Sequence, residues 1–554
     1  MNAAMKWKNF KPEIFWLILI ISIATLLRVV KLDEYPPALY SDEVSQGYNA
    51  YSVLTTNKDE YGTWFPVSFR SFGDWKPPLP TYFMVPTIAA FGLNEYGIRM
   101  SSALLGIGSV LLTYLLTRLL FKDAAVAVLS AAVLTISPWH ILQSRSAMLV
   151  SCELFFLLLA LLAFFKGLTS KRWWVVSAGS WIAVIYSYYG GRVIVPLFLL
   201  FLLVTFRKQI LAVKTQLVAP IIIALITLTP LSVAFVSQPD VLFGRAKSVS
   251  VFYDQGVALT VWDLIAQDGM TGPPVLSQFL HNKPYHYVID IARRFFQHFD
   301  GRFLFLTGDL QPPFQIPGMG ILYLVEAPLL LIGLRKLLNI YKQQRVFIIF
   351  WIAVSVVPAA LTFVTPASNR TYTMVVPLGI LTALGITSLI NKFRKPFAHT
   401  TFIVLLSLGY LLCFSYFIFQ YTYVLPKNHA DWWHFGYEEL YRYLKTEENK
   451  YRVIAVSAKA SVPYIFLLFN YRLLPNEVTI DRNLTPDEFG FEHVNRIDKY
   501  RFPRHFEWEK DGVKLPRQSL LVVTPLESVG SSAREKKLIY YPNGTVAFRI
   551  YEIE

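Results

Sequence analysis

The chain has 554 residues, 54% of them hydrophobic and 16% charged, with a mean hydropathy of +0.42 and a formal net charge of +15. Soluble domains hold about a quarter charged residues, and apolar runs near the roughly 20 residues that a membrane span needs recur along the chain. This excludes a soluble globular enzyme and points to a polytopic α-helical membrane protein. The two cysteines, Cys152 and Cys413, lie in apolar runs and give no disulfide framework.

The first apolar run covers about 13–31. Arg28-Val29-Val30-Lys31 at its end offers no small-residue cleavage site, so it reads as a retained anchor. Further spans are predicted at about 98–120, 124–139, 147–166, 173–189, 193–206, 217–237, 318–335, 346–364, 371–390 and 400–424, eleven in all. With the amino terminus cytoplasmic, the inner side carries eighteen Lys and Arg, from Lys6, Lys8 and Lys11 to Lys392, Arg394 and Lys395. The short outer turns carry three, Arg145, Arg192 and Arg370. This positive-inside bias sets the expected orientation. It assigns the basic balance to topology and anionic headgroups, not to nucleic acid.

Three regions are then expected outside. The 32–97 loop holds the charged motifs discussed below, and its Thr81–Phe91 stretch, broken by Pro86, suits a helix lying in the interface. The 238–317 loop is rich in aromatics, Pro, His and Arg. The tail, 426–554, reads as a small α/β domain. Within it Val453–Ser457 and Leu520–Val523 are predicted strands, 433–445 an amphipathic helix, and Tyr541-Pro542-Asn543-Gly544-Thr545 a hairpin turn. No internal repeat stands out.

Candidate chemistry concentrates in the first loop. Asp42-Glu43 begins eleven residues beyond the first span, at bilayer-surface range, and Gly73-Asp74-Trp75-Lys76-Pro77-Pro78-Leu79 follows in the same loop. A carboxylate there can take a proton from an attacking hydroxyl, and a lysine can balance a leaving phosphate. Asp42 or Glu43 suits the first role, with Asp74 a further acid, and Lys76 the second. Adjacent residues rarely point the same way, so one of Asp42 and Glu43 is expected to brace the other. Arg145, Arg192 and Arg370 each stand alone on an outer turn, where binding a shared phosphate through a planar fork of donors competes with snorkelling or pairing to an acid. In the second loop Arg293-Arg294, Asp300, Arg302 and Asp309 are candidates for headgroup or sugar contacts. Glu153 and Glu326 lie inside spans, where bracing is the expected role. His281, His286 and His298 are too irregularly spaced for a recognisable metal site, and the first loop lacks a clear Asp-x-Asp pattern. No metal or other cofactor is indicated, with a divalent cation left open as the alternative.

At Asp42-Glu43 and Asp74-Trp75-Lys76-Pro77-Pro78-Leu79 the chain resembles the C-type (GT-C) glycosyltransferases that use polyprenyl-phosphate sugars. Protein O-mannosyltransferases (glycosyltransferase family 39) carry an Asp-Glu pair and an Asp-x-His-Pro-Pro-Leu stretch, from which Lys76 departs. The lipid A aminoarabinose transferases carry Lys-Pro-Pro-Leu, which Lys76–Leu79 matches. Ile98-Arg99-Met100 leading into Ser101–Gly108 is similar to the second-span entry of that superfamily. The resemblance covers about 30–120 and, in topology, extends to about 425. It implies a membrane domain over 1–425, a catalytic base at Asp42 and a phosphate contact at Lys76. It also implies inverting transfer of a sugar from a polyprenyl-phosphate donor to a protein, lipid or glycan acceptor at the outer face of a prokaryotic plasma membrane. The lost histidine puts protein Ser/Thr as acceptor in doubt. Asp431-Trp432-Trp433-His434-Phe435-Gly436 resembles the Trp-Trp-Asp-Tyr-Gly motif of oligosaccharyltransferases, with an interfacial tryptophan belt as the simpler reading. An oligosaccharyltransferase or glycan ligase, and a lipid flippase or transporter without covalent chemistry, are the alternatives. The charge count predicts that alkaline phosphatase fused after Glu554 is active and that a fusion after Lys395 is silent. The reverse pattern would overturn the orientation.

Overall fold

The computed structural model describes residues 12–553 apart from 254, 270–273, 486, 488–490, 505 and 512–513. Lys6, Lys8, Lys11 and Glu554 lie outside the described residues. The chain is mostly helical, and each of the eleven predicted spans overlaps a helix at least in part. Among the described residues six helices are long and apolar enough to cross a membrane, and the bent pair Ala124–Ile136 with Pro138–Arg145 makes a seventh if it is one span, fewer than the eleven expected. Gly191–Thr205 and Gln344–Ala360 are shorter apolar helices. The stretch predicted as a span at 318–335 starts its helix later, at Glu326. Before it, Gly320 runs so close to the backbone of Leu304 and Phe305 that a Cβ would not fit, and Leu322 N–H donates to the Leu304 carbonyl at 2.8 Å.

Two compact units emerge. One comprises the described residues of 1–30, 102–144 and 149–417, the other those of 31–101, 145–148 and 418–554. The sequence reading grouped the first loop with the membrane helices, whereas by packing it goes with the tail.

In the first unit, the turn between Ile136 and Pro138 breaks a helix by 58°. Proline cannot continue the hydrogen-bond ladder, so carbonyls upstream lose partners. Arg28, fully buried, supplies them: its guanidinium donates to Leu134 O at 3.4 Å and Thr135 O at 3.2 Å and meets His140 Nδ1 at 2.7 Å. Glu326–Ile340 packs on Val375–Lys392 with the backbones nearly touching, Gly333 against the Leu381 carbonyl and Gly385 against that of Leu329. Small residues permit such approach where lipid provides no hydrophobic drive. The 238–317 segment, expected as a loop, is largely helical, with Asp240–Val249, Gly256–Gly269, Pro274–Leu280 and Lys283–Gln297.

The second unit begins with the helix Ser41–Thr56, the hairpin β1 (Phe69–Ser71) and β2 (Asp74–Lys76), and the helix Pro78–Phe91. The tail adds β3 (Val453–Val456), β4 (Ile480–Asn483), β5 (His493–Ile497), β6 (Tyr500–Arg501), β7 (Ser519–Val523), β8 (Ala533–Tyr540) and β9 (Val546–Ile553). These form one sheet in the order β4-β5-β6-β3-β7-β9-β8, with β3 parallel to β6 and β7. Both predicted strands, the amphipathic helix (Tyr437–Glu447) and the hairpin turn before Val546 are present. One apolar core, including Val44, Tyr48, Met84, Ile88, Leu440, Phe466 and Val522, joins the loop helices to the sheet.

Gly333→Ala is expected to destabilise the protein by about 1–3 kcal/mol, because its methyl must displace backbone. Gly179, whose Cβ would meet open space, should accept alanine without loss. Thermal unfolding in detergent checks both. Equal melting temperatures for Gly333→Ala and wild type would remove the close packing from the argument.

Candidate active site

The Ser41–Thr56 helix places Asp42 and Glu43 in its first turn, where the helix dipole favours carboxylates. Consecutive helical residues point about 100° apart, and the two acids diverge. Glu43 is fully buried. It accepts Arg99 Nε at 3.2 Å, the Ala147 N–H at 2.8 Å and the Tyr40 N–H at 3.0 Å, the last of these capping the helix. Arg99, also fully buried, spends its remaining donors on the carbonyls of Leu32, Pro36 and Ala38. With its carboxylate occupied on both oxygens, Glu43 is placed as a brace. Asp42 points outward with its side chain 40% exposed.

Asp42 Oδ1 is ion-paired to Lys76 Nζ, whose side chain is 5% exposed. Local sequence explains where the lysine sits. Phe72 and Gly73 both have positive φ, 60° and 81°, as a two-residue hairpin turn requires. β2 then runs back to Lys76, opposite Phe69. Pro77-Pro78 ends the strand and starts the next helix with proline in its first turn. The ammonium lies 5.4 Å over the Phe72 ring. Asp74, two residues away on the same strand face, is half-buried, and it is Asp42 that the lysine meets.

A third group joins them from far along the chain. His434 Nδ1 accepts the Ser41 N–H at 3.3 Å, and its ring lies 4.8 Å from that of Tyr40. Burial pushes the imidazole down to about 4, against the pull of Asp42. It is therefore neutral at physiological pH, and an accepting Nδ1 leaves the proton on Nε2. The backbone at His434 is left-handed, φ 53°, and Gly436 at φ 102° sits where a Cβ would press on Phe548 and Ala547. Sequence reasoning missed this residue by treating Trp432-Trp433 as a membrane belt. Trp433 is fully buried instead, with Arg99 at 6.0 Å over its ring. The glycine two residues after the histidine was the available signal of a special backbone.

Arg145 belongs to this unit too. It is buried and donates to the carbonyls of Lys31 at 2.7 Å and Tyr35 at 3.0 Å, with Tyr421 at 5.9 Å under its guanidinium. These contacts fasten the start of the first loop.

Arg192, Arg302 and Arg370 belong to the first unit. Arg192 donates to Val241 O at 2.9 Å and lies over Tyr189 at 5.7 Å. Arg302 is exposed at the start of a short π-helical turn. Arg370 donates to Thr362 Oγ1 at 2.6 Å. Burial lowers its pKa and the neighbouring Arg245 adds to this, while Tyr188 and Asp309 oppose it. Arg245, which sequence reasoning passed over, thus adds a second guanidinium beside Arg370. Asp309, held by the N–H groups of Gln311 and Ser368, is raised by burial. Arg293 and Arg294 both pair with Asp290, and Asp300 accepts the Arg302 N–H at 2.8 Å.

The chain is similar to known proteins in sequence and in fold. Residues 18–237 match the family profile described as dolichyl-phosphate-mannose-protein mannosyltransferase. "Putative mannosyltransferase YkcB" of Bacillus subtilis is 30% identical over 188 residues, 32% of this chain and 26% of that protein. "Putative mannosyltransferase YycA" of the same organism is 24% identical over 242 residues, 43% of this chain and 33% of its own length. The chain thus spans about a quarter to a third of the length of these curated relatives. Among solved structures, ArnT from Cupriavidus metallidurans bound to undecaprenyl phosphate superposes with a TM-score of 0.55 at 14% identity, covering 97% of this chain and 98% of that one. The Archaeoglobus fulgidus oligosaccharyltransferase tethered to an acceptor peptide gives 0.50 at 12% identity, covering 83% of this chain and 63% of that one. In sequence over residues 18–237, and in fold over almost its whole length, the chain is similar to the C-type glycosyltransferases, the resemblance that its first loop carries.

Proposed function

We propose that the chain is an inverting glycosyltransferase that moves a sugar from a polyprenyl-phosphate donor to a protein, lipid or glycan acceptor at the outer face of the membrane. The observation that carries the reading is the Asp42–Lys76 ion pair, with a buried ammonium and a part-exposed carboxylate at a helix start. The undecaprenyl phosphate bound to ArnT and the mannosyltransferase profile support the donor class. The topology proposed with it has eleven spans, a cytoplasmic amino terminus, and the first loop and tail outside.

The pair is the resting arrangement. A donor phosphate competes with Asp42 for the Lys76 ammonium, and its arrival frees the carboxylate to act as base. The acceptor oxygen then attacks the anomeric carbon as the bond from that carbon to the phosphate oxygen breaks. The hydroxyl proton passes to Asp42. The electron pair leaves with polyprenyl phosphate, whose added negative charge falls on Lys76. Lys76 supplies the charge that a divalent cation would otherwise bring, so no metal or other cofactor is assigned. Glu43 and Arg99 hold the helix start, and Arg192, Arg302 and Arg370 stand as anion-binding candidates within their own unit.

A second reading, an oligosaccharyltransferase or glycan ligase, is favoured by one observation. The Trp432-Trp433-His434-Phe435-Gly436 segment lies against the helix that carries Asp42, through His434 and Ser41.

Single-turnover release of polyprenyl phosphate, measured over a panel of polyprenyl-phosphate sugars, tests the first reading. Asp42→Asn should slow release at least about hundredfold, the usual range for a lost general base. Glu43→Gln breaks a buried pair instead and should cost on the order of 3–5 kcal/mol of stability. If Asp42→Asn turns over normally, the base lies elsewhere.

Lys76→Ala should depress kcat as well as donor binding, because the lysine acts most strongly on the leaving phosphate. Lys76→Arg should rescue in part, since a planar guanidinium replaces a point charge. Movement of intact lipid across vesicles, with no polyprenyl phosphate released from any donor, would replace the transferase by a flippase.

A further inference from the structure

The tail carries a second charged feature unconnected with Asp42 and Lys76. At one end of its sheet, where β3 and β7 begin and β9 ends, a cleft of about 540 Å³ is lined by Arg452, Arg517, Gln518, Arg534, Glu552 and Ile553. The backbones around it are fixed. Arg452 N–H donates to Gln518 O at 3.0 Å, Gln518 N–H to Ile553 O at 3.1 Å, and Arg534 stands opposite Glu552 in the β8–β9 ladder. Arg534 is thus carried by the edge strand β8, and Arg452 and Arg517 stand just before β3 and β7.

Charge in the cleft is unbalanced. All three arginine side chains are exposed, and among the described residues none makes a hydrogen bond or an ion pair. Glu552, the cleft's carboxylate, is engaged elsewhere. One oxygen meets Lys536 Nζ at 3.1 Å and the other accepts the Tyr451 hydroxyl at 3.2 Å. Lys536 above all holds its carboxyl below the ordinary range, with Arg534 adding to the effect. Glu552 chiefly offsets Lys536 and only in part Arg534, so the three guanidiniums of the cleft outnumber its one carboxylate. A volume of this size falls within the span of small-ligand sites. The lining, with Ile553 as its apolar residue, does not suit an apolar molecule.

We propose that this cleft is a binding site for closely spaced phosphate groups, such as those of a phosphate-bearing glycan or a multiply phosphorylated headgroup. Guanidinium forks bind phosphate oxygens in pairs, and three of them match several neighbouring oxyanions better than one isolated charge. The converging positive potential would also draw such a ligand in, an effect that salt screens. The site is independent of the transfer reading and stands or falls separately from it.

Calorimetric titration of the full chain in zwitterionic nanodiscs with inorganic triphosphate tests this. Saturable one-site binding that weakens with added salt is expected. The doubly substituted Arg517→Gln, Arg534→Gln chain should bind at least about tenfold more weakly at unchanged melting temperature, the cost of lost charge-assisted hydrogen bonds. Lys459→Gln, beyond the other end of β3, removes the same kind of charge and should leave the affinity intact. Absence of saturable binding, or equal loss in Lys459→Gln and the arginine variants, would overturn the proposal. A repeat in nanodiscs containing anionic phospholipid separates the sources. Competition with triphosphate assigns the phosphates to lipid headgroups, and undiminished binding assigns them to a soluble ligand.

Discussion

The contact on which the candidate site depends is the buried ion pair between Glu43 and Arg99. Two charges brought out of water are costly unless their remaining hydrogen-bonding groups are also satisfied. Here the carboxylate takes two backbone N–H groups as well as the guanidinium, and the guanidinium takes three carbonyls. The network therefore ties the chain at Leu32–Tyr40, the helix start at Ser41 and the turn at Ala147 to one residue at the head of the next long helix. Because Glu43 must face inward to complete it, helical geometry turns Asp42 outward. The base candidate is exposed as a consequence of its neighbour being buried.

That division of labour was half legible. The Asp-Glu pair, its distance from the first span and the Lys-Pro-Pro run are local features, and local features survive in sequence. So are the apolar runs that became helices and the Tyr541–Thr545 turn. Which acid would face out could not be read, because it depends on Arg99, whose side chain meets Glu43 from 56 positions away. His434 was further out of reach, meeting Ser41 across 393 positions. A histidine that caps a distant helix carries no periodic signal. Its tryptophan neighbours suggested a membrane surface, whereas Trp433 lies in the interior beside Arg99.

The arginines of the turns expected outside teach a related point. Each stood out because a positive charge on a turn expected outside wants a reason, yet the reasons differ. Arg145 satisfies backbone carbonyls at the start of the first loop. Arg370 sits close enough to Arg245 for the two to repel, with Tyr188 and Asp309 partly offsetting that repulsion. A carbonyl-bound arginine is a fastener, and two guanidiniums held near each other form the kind of place an anion would stabilise. Sequence position alone does not separate the two cases, because both depend on what the fold brings within reach.

Packing also changes how the tail should be regarded. The Phe72 carbonyl, at the tip of the hairpin that delivers Lys76, accepts the Glu492 N–H at 3.0 Å, and Glu492 pairs with Arg70 on the same hairpin. Glu60 is buried among Ser71, Asn49, Tyr464 and Arg482, and the Tyr48 hydroxyl donates to Leu473 O at 2.7 Å. The tail supplies Tyr464 and Arg482 to this buried polar cluster, and without it Glu60 would lose both. The loop that holds Asp42 and Lys76 therefore takes its shape from residues more than 400 positions later. Substitutions at Tyr464 or Arg482 act on the candidate site through the hairpin, although neither residue touches Asp42 or Lys76.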